Sequence, residues 1–226
     1  MRPVVGCVLL GLALLPACHS PLDINTPRQR TVPDDAPDSL SLVNGFRVSL
    51  ALTFDESGSM QGFGNQTAKA GALRLCDYLD GTNDEAEVIC FNQTVFVQTF
   101  MTTQIFLLRA GISSLQPNGN TALWDAALLS VRELVNNGRN RRAVIIFSDG
   151  EDNASSSGDQ LAFISSAVKS NVSVSTIAFG AAAPVDKLKQ VADSTGGRFE
   201  SVTTSAEAEA AYLRILRDLR RATKGI

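Results

Sequence analysis

Oxygen-bearing side chains recur at every second position of the segment Asp55–Met60, which directly follows the apolar run Val48–Phe54. In an extended or gently turning backbone, side chains at positions i, i+2 and i+4 share one face. The carboxylate of Asp55 and the hydroxyls of Ser57 and Ser59 can therefore point to one place. Such a set of oxygen ligands suits Mg²⁺ or Mn²⁺ better than Zn²⁺, which prefers Cys and His. The segment predicts part of a site for a hard divalent cation.

Two later segments place a further oxygen at the boundary of a predicted element. Thr121 follows the turn 118–120 and opens a helical pattern, and Asp149 follows the apolar strand run 143–147. Taken alone, Thr121 is typical of a helix cap, and Asp149 with Gly150 is typical of a turn. Taken with the earlier segment, both predict a metal site whose ligands are far apart in the sequence.

At these residues the chain resembles the von Willebrand factor type A (VWA) family, and the resemblance covers residues 45–223. The metal-ion-dependent adhesion site (MIDAS) of that family combines a D-x-S-x-S segment, a loop threonine and the aspartate of an (S/T)-D-G turn. The resemblance implies that the metal ligands here are Asp55, Ser57, Ser59, Thr121 and Asp149. It also implies that the cation, Mg²⁺ or Mn²⁺, is bridged by an Asp or Glu of a partner protein.

The elements that must position these residues alternate between strands and helices. Strands are predicted at 46–54, 87–91, 94–100, 142–148, 172–179 and 197–202, and helices at 65–80, 104–114, 121–136, 159–169, 184–194 and 205–222. This alternation predicts an α/β fold with a doubly wound, mainly parallel six-stranded sheet and helices on both faces, and the resemblance implies that it is of the VWA and Rossmann-like type. The short turn at 91–94 predicts one antiparallel edge strand. Both aspartates then follow parallel strands, where such sheets open their binding crevice.

The first 44 residues are predicted to lie outside this domain. Residues 1–17 read as a signal peptide, because Arg2 precedes the apolar run Val4–Leu15, which is too short to span a bilayer. The stretch 15–18 resembles the bacterial lipobox, which implies that Cys18 is lipidated; ordinary secretion is the alternative. Residues 18–44 then form a lipidated, Pro-rich tether that ends in an Asn-Gly hairpin signal, and residues 45–226 form the VWA domain.

Composition narrows the classes of function. The net charge of −3 and the absence of a basic stretch give no indication of nucleic-acid binding. His19 is the one histidine of the sequence and precedes the domain, so a Ser-His-Asp triad and a His-ligated zinc are excluded there. A Mg²⁺-dependent phosphotransferase of the haloacid-dehalogenase type would need a second Asp where Ser57 stands. It would also need a positioned lysine, for which Lys69 and Lys169 are nominal candidates.

Two cysteines remain within the predicted domain. Cys76 lies late on the first predicted helix and Cys90 lies in the next strand. They could pair in a disulfide if the protein is exported to an oxidising compartment. The alternative is a pair of buried thiols, since the pairing depends on geometry that a sequence does not give.

Basic residues are expected together at the end of the sheet opposite the metal site. They are Arg47, the turn 139–142, and Arg217, Arg220 and Arg221 of the last helix. They could face anionic lipid headgroups. They could equally offset the dipoles of the helices that end there.

The predicted function is a protein-binding module of the bacterial cell envelope, held there by a lipid anchor or, alternatively, secreted. It is expected to recognise an acidic residue of an unknown partner protein through a bound divalent cation, and not to be an enzyme. A structural or assembly role without a metal bridge is the alternative, and the phosphotransferase is the less favoured one.

Overall fold

The computed structural model describes residues 45–221, in which six strands and six helices alternate. The strands are β1 (Val48–Asp55), β2 (Glu85–Phe91), β3 (Val95–Thr102), β4 (Arg141–Ser148), β5 (Ser173–Phe179) and β6 (Phe199–Val202). The helices are α1 (Phe63–Cys76), α2 (Ile105–Ser113), α3 (Leu123–Asn137), α4 (Gln160–Lys169), α5 (Val185–Thr195) and α6 (Ser205–Arg220). The predicted signal peptide, Cys18, the tether and Asn44 of the predicted hairpin lie outside the described residues.

The strands form one sheet in the order β3-β2-β1-β4-β5-β6. Neighbouring strands are parallel except for β3, which runs antiparallel to β2 at one side of the sheet. The predicted fold is therefore confirmed, including the antiparallel edge strand. Because β1 and β4 are neighbours, the ends of these two strands meet at the carboxyl end of the sheet.

Helices cover both faces of the sheet. One apolar core lies under α1, α2 and α6, where Phe54 and Phe147 of the sheet meet Tyr212. The second core lies under α3, α4 and α5, where Phe91 meets Trp124 and Phe163. Side chains on successive strand residues point to opposite faces, so each of the central strands supplies both cores. No helix within residues 45–221 is long and apolar enough to cross a membrane.

Two element boundaries differ from the predicted ones for clear physical reasons. Helix α1 ends at Cys76 instead of residue 80, because the following segment folds into a turn in which Asp80 accepts hydrogen bonds from Thr82 and Asn83. Strand β2 begins at Glu85, earlier than predicted, since Glu85 and Glu87 are buried despite their charge. A charged residue at a buried strand position interrupts the apolar pattern, so the start of such a strand is predicted too late.

Helix α6 is fixed at both of its ends. Its first turn carries a capping box between Thr204 and Glu207. Near its last turn, Arg220 is buried and pairs with the buried carboxylate of Asp84, which also accepts a hydrogen bond from the Val48 backbone N–H at 3.1 Å. Between these ends, Tyr212 packs so closely on Gly71 of α1 that a Cβ at Gly71 would lie 2.5 Å from the ring.

The disulfide between Cys76 and Cys90 is not formed, because both residues are free, buried thiols. The reason is the direction of the two elements. Helix α1 descends from the carboxyl end of the sheet, so Cys76 lies at the amino end, whereas Cys90 is next to the last residue of the rising strand β2. A helix of this length spans about 20 Å, and a disulfide requires Cα atoms within about 7 Å.

Candidate metal site

Asp55 is the last residue of β1, and its side chain is buried at the carboxyl end of the sheet. One carboxylate oxygen, Oδ1, accepts the Ser57 backbone N–H at 2.8 Å. The other, Oδ2, accepts the Ser148 hydroxyl at 2.5 Å. The carboxylate is therefore oriented by one donor from the loop after β1 and one from the end of β4, and Ser148, the serine of the (S/T)-D-G turn, is a positioning residue.

The two serines reach the same place by a tight turn. Ser57 has an extended backbone, and Gly58–Met60 then form a single 3₁₀ turn. The hydroxyl of Ser57 lies 3.0 Å from that of Ser59, and Ser59 donates to Asp149 Oδ1 at 2.8 Å. The side chains of Asp55, Ser57 and Ser59 converge as expected. The backbone at Ser59 turns more tightly than the predicted extended or gently turning path, and this turn brings the Ser59 side chain to Asp149.

Thr121 lies in the loop before α3 and does not cap that helix. The Ser155 hydroxyl accepts the first backbone N–H groups of the helix, from Trp124 at 3.0 Å and from Asp125 at 3.1 Å. The reading of Thr121 as an ordinary helix cap is thus wrong, because a residue of another loop takes that role. Within residues 45–221 the Thr121 hydroxyl has no hydrogen-bond partner, so it remains available as a ligand.

The loop around Asn153 fixes the backbone of Thr121. Asn153 accepts the Thr121 N–H on its side-chain oxygen at 2.9 Å and donates its own N–H to the Thr121 carbonyl at 2.9 Å. Beside it, a Cβ added at Gly150 would lie 3.7 Å from the Thr121 hydroxyl and 3.9 Å from that of Ser59. Glycine therefore leaves space between these oxygens where a side chain would intrude.

The two carboxylates of the site are held in surroundings that disfavour their charge. Burial raises the pKa of Asp55 to about 6, with a smaller contribution from the charge of Asp149. Burial also raises the pKa of Asp149. Among the described residues no lysine or arginine forms an ion pair with either group. Two partly desolvated carboxylates with hydroxyl neighbours and no cation fit a divalent ion, which would supply the missing positive charge.

The nearby acidic residues do not join the site. Glu56 is buried and turns to the next loop, where it accepts the Gln116 N–H at 2.7 Å. Glu151 is exposed and pairs with Lys187 at 2.7 Å. Asp152 accepts the Ser155 hydroxyl at 2.5 Å. No group of three Asp, Glu, His or Cys side chains clusters within residues 45–221, and the mixed carboxylate and hydroxyl composition of the site stays a prediction.

The loops that carry the ligands are hydrogen-bonded to one another through their backbones. The Gly58 N–H donates to the Gly119 carbonyl at 2.9 Å, and the Asn118 N–H donates to the Glu56 carbonyl at 2.6 Å. The sequence did not predict these backbone hydrogen bonds between the loops, nor the positioning roles of Asn153 and Ser155. The stretch 153–158 reads as a rim loop of Asn, Ser and Gly, and only the three-dimensional contacts show what its side chains hold.

Neither of the nominal lysines reaches this end of the sheet with its ammonium group free. Lys69 donates to the Ser113 carbonyl at 2.9 Å, and Lys169 is the last residue of α4, at the amino end of the sheet. A phosphotransferase would need such a cation beside the transferred group.

The comparison with protein-family models agrees with this geometry. The model described as von Willebrand factor type A domain matches residues 49–214. The chain belongs to the von Willebrand factor type A domain family. Among curated proteins, the uncharacterised protein sll0103 of Synechocystis sp. is 26% identical over 164 residues. That match covers 71% of this chain and 39% of the relative, so the chain spans less than half of that protein's length.

Solved structures with the same fold come from diverse organisms. A von Willebrand factor type A protein from Catenulispora acidiphila has a TM-score of 0.69 at 17% identity, over 77% of this chain and 43% of that one. The mussel byssus proximal thread matrix protein 1, solved with a zinc-occupied MIDAS motif, has a TM-score of 0.67 at 18% identity, over 77% and 46%. An aerotolerance-related membrane protein from Bacteroides fragilis has a TM-score of 0.65 at 20% identity, over 76% and 99%. At these identities the likeness shows the fold of this VWA domain.

Proposed function

We propose that this VWA domain binds a partner protein through a divalent cation held by Asp55, Ser57, Ser59, Thr121 and Asp149. The observation that carries the proposal is the convergence of these side chains at one end of the sheet, where the buried carboxylate of Asp55 lies near the half-buried carboxylate of Asp149 and the Thr121 hydroxyl is left without a partner within residues 45–221. A bound cation would offer an open coordination position to an Asp or Glu of the partner. The surface around the site would then supply specificity.

The proposed cation is Mg²⁺ or Mn²⁺. Carboxylate and hydroxyl oxygens are the ligands that these hard ions prefer. The zinc in the MIDAS motif of the mussel protein supports a divalent ion in such a site, although the absence of Cys and His from this ligand set favours a harder ion here. The five side chains would hold the ion, and the hydrogen bonds to Asp55 would fix the position of its carboxylate. The loops around Thr121 would limit access of water.

We further propose binding and not catalysis. The site offers no histidine, and Lys69 and Lys169 are engaged or placed elsewhere. We place the protein in the bacterial cell envelope, anchored through Cys18. The Bacteroides fragilis neighbour, described as a membrane protein, supports this location. A structural or assembly role without a metal bridge is the alternative.

The first test is metal binding. Titration of Mg²⁺ or Mn²⁺ into wild type should raise the melting temperature, since a ligand that binds the folded state stabilises it by RT ln(1 + [L]/Kd). Asp149→Ala should abolish this rise. Glu151→Ala is the matched control, because it removes a carboxylate from the same loop. The Glu151 carboxylate pairs with Lys187 and lies outside the site. An equal rise in all three proteins would contradict the proposed ligand set.

The second test is capture of partners from envelope extract in Mg²⁺ and in EDTA. A partner held by wild type and by Glu151→Ala in Mg²⁺, and lost with EDTA or Asp149→Ala, would establish metal-bridged recognition. A partner that is indifferent to both changes would favour the structural alternative. If recognition is metal-bridged, preincubation with a soluble peptide that contains Asp or Glu should reduce capture of the partner, because the peptide carboxylate would occupy the open coordination position.

A further inference from the structure

Acidic side chains lie at the carboxyl end of the sheet where α3, α4 and α5 begin; they include Asp125, Asp159 and Asp186. Acidic residues at helix starts and basic residues at helix ends are favoured by the helix dipoles. Carboxylates also lie at the amino end, but Asp80, Asp84 and Glu85 are held there in ion pairs with arginines. Several cations at this end have no such carboxylate partner within residues 45–221.

Four cations at the amino end keep their charge uncompensated, and we call them the basic face: Arg141, Arg142, Lys169 and Arg221. Arg141 donates to the carbonyls of Leu219 at 2.7 Å and of Arg221 at 2.9 Å. Arg142 donates to the carbonyl of Gly138 at 3.2 Å. In the part of the chain that the structure describes, no carboxylate pairs with any of the four. Carbonyl partners orient a guanidinium but leave its full positive charge.

Other cations of the amino end are neutralised and do not belong to this face. Arg47 pairs with Asp80 at 2.5 Å, and Arg139 pairs with Glu85 at 2.7 Å. Arg220, which the sequence placed with the exposed basic residues, is 2% exposed and bonded to Asp84. The expectation that Arg220 faces outward is therefore wrong, because it compensates a buried carboxylate.

A cavity lies within the basic face. It has a volume of about 440 Å³, and its lining includes Arg141, Arg142, Val168, Ser173 and Thr195. Its lining contains no acidic residue. Its size lies in the range of cavities that hold small ligands. The guanidiniums of Arg141 and Arg142 offer the kind of donors that a phosphate group accepts, whereas the hydroxyls of Ser173 and Thr195 donate to backbone carbonyls.

Exposed apolar side chains flank these cations. Phe46 is 53% exposed and its ring lies 5.2 Å from the guanidinium carbon of Arg141. Val168 is 54% exposed beside Lys169. A mixture of basic and apolar side chains matches the boundary between headgroups and acyl chains of a bilayer.

We propose that the basic face docks on anionic phospholipid headgroups, so that the amino end of the sheet rests on the membrane and the metal site faces away from it. The path of the chain fits this arrangement. The Phe46 N–H donates to the Arg220 carbonyl at 3.2 Å, which fixes the first described residues at the same end. The predicted lipid-anchored segment therefore joins the domain where the basic face lies. This docking requires no bound metal and is independent of the proposed function.

The test uses residues 19–226, which include every described residue and omit the predicted anchor, in EDTA at low ionic strength. Wild type should sediment with vesicles that contain phosphatidylglycerol and stay in solution with pure phosphatidylcholine vesicles. The triple variant Arg142→Gln, Lys169→Gln, Arg221→Gln should lose about 100-fold in apparent affinity, since each cation near an anionic surface contributes about a factor of five.

The control is a triple variant with the same change in net charge elsewhere on the surface: Lys69→Gln, Arg132→Gln, Lys187→Gln. It should retain wild-type binding to within about threefold, because charge outside the face contributes through screened, longer-range interactions. Equal losses in both triples would overturn the proposal in favour of a net-charge effect. Absence of wild-type binding, or release by inorganic phosphate at matched ionic strength, would overturn docking on lipid. Circular dichroism of both triples checks that they are folded.

Discussion

Within the described residues, buried carboxylates at the amino end of the sheet pair with arginines, whereas the two carboxylates of the candidate metal site at the carboxyl end form no ion pair. At the amino end, Asp84 is paired with Arg220, and Glu85 is paired with Arg139. At the carboxyl end, Asp55 and Asp149 are partly or fully buried without any ion pair in the described part of the chain. The difference distinguishes carboxylates that are paired within the fold from carboxylates that have no ion pair in the described residues, as the proposed metal site requires. The following predictions test that distinction.

The largest effect should come from breaking the paired end. Arg220→Met leaves the charge of Asp84 buried without a partner, which should lower the free energy of unfolding by about 3–5 kcal/mol. The measurement is urea unfolding in EDTA. Arg217→Met is the matched control on the same helix, where a partly exposed contact with Asp218 at 3.3 Å is replaced; it should cost less than about 1 kcal/mol. Similar losses in the two variants would contradict the structural role of the buried pair.

A third kind of carboxylate lies between the two ends. Glu87 is fully buried and neither of its oxygens has a hydrogen-bond partner within residues 45–221. Burial raises its pKa to about 8, with smaller contributions from the charges of Glu133 and Glu85. The folded state thus holds a proton that the unfolded chain releases near 4.5.

The sign of the pH dependence follows from these two values. Between pH 4.5 and about 8 the folded state binds the proton more strongly, so the free energy of unfolding falls as pH rises. The slope contributed by Glu87 is at most about 1.4 kcal/mol per pH unit, and it vanishes above the higher pKa. Unfolding of Glu87→Gln should show a smaller slope from pH 6 to 8, whereas Glu151→Gln should keep the wild-type slope. An unchanged slope in Glu87→Gln would show that the carboxylate is not buried.

A smaller effect is expected from neutralising the unpaired end. In EDTA, Asp149→Asn should change the free energy of unfolding by less than about 1 kcal/mol, because the carboxylate has no cation to lose and repels Asp55. Asp84→Asn, at the paired end, should be far more destabilising because it leaves Arg220 buried alone. Chemical unfolding of the two variants side by side measures this difference, and a larger loss for Asp149→Asn would reverse the distinction.

The smallest effect should come from the exposed ion pair beside the metal site. Lys187 and Glu151 are 47% and 60% exposed, and such pairs contribute about 0.2–1 kcal/mol. Lys187→Gln should therefore leave both thermal stability and stabilisation by Mg²⁺ close to those of wild type. A marked change in the Mg²⁺ response would show that this pair contributes to the site.

The sequence predicts the fold well because apolar strands and amphipathic helices alternate clearly from Val48 to Arg220. It places the start of β2 two residues late, at 87, because the buried Glu85 interrupts the apolar pattern. Residue type and spacing predict Asp55, Ser57 and Ser59 as metal ligands, and the resemblance to the VWA family adds Thr121 and Asp149; the ligand role of all five stays a prediction. The positioning roles of Ser148, Asn153 and Ser155 are not predicted, because these residues act through contacts between separate loops. Serine and asparagine in loops are common, so nothing in their local sequence marks these roles.

The buried pair of Arg220 and Asp84 also limits how α6 can move. A displacement of this helix along its axis by one turn, about 5.4 Å, would pull the guanidinium away from its carboxylate and strand both charges in an apolar core. The capping box at Thr204 would open in the same movement. Helix α6 is therefore held against displacement along its axis. Any mechanical response to occupancy of the metal site should travel through the loops at Thr121 and Asn153, leaving the opposite end of the domain stationary.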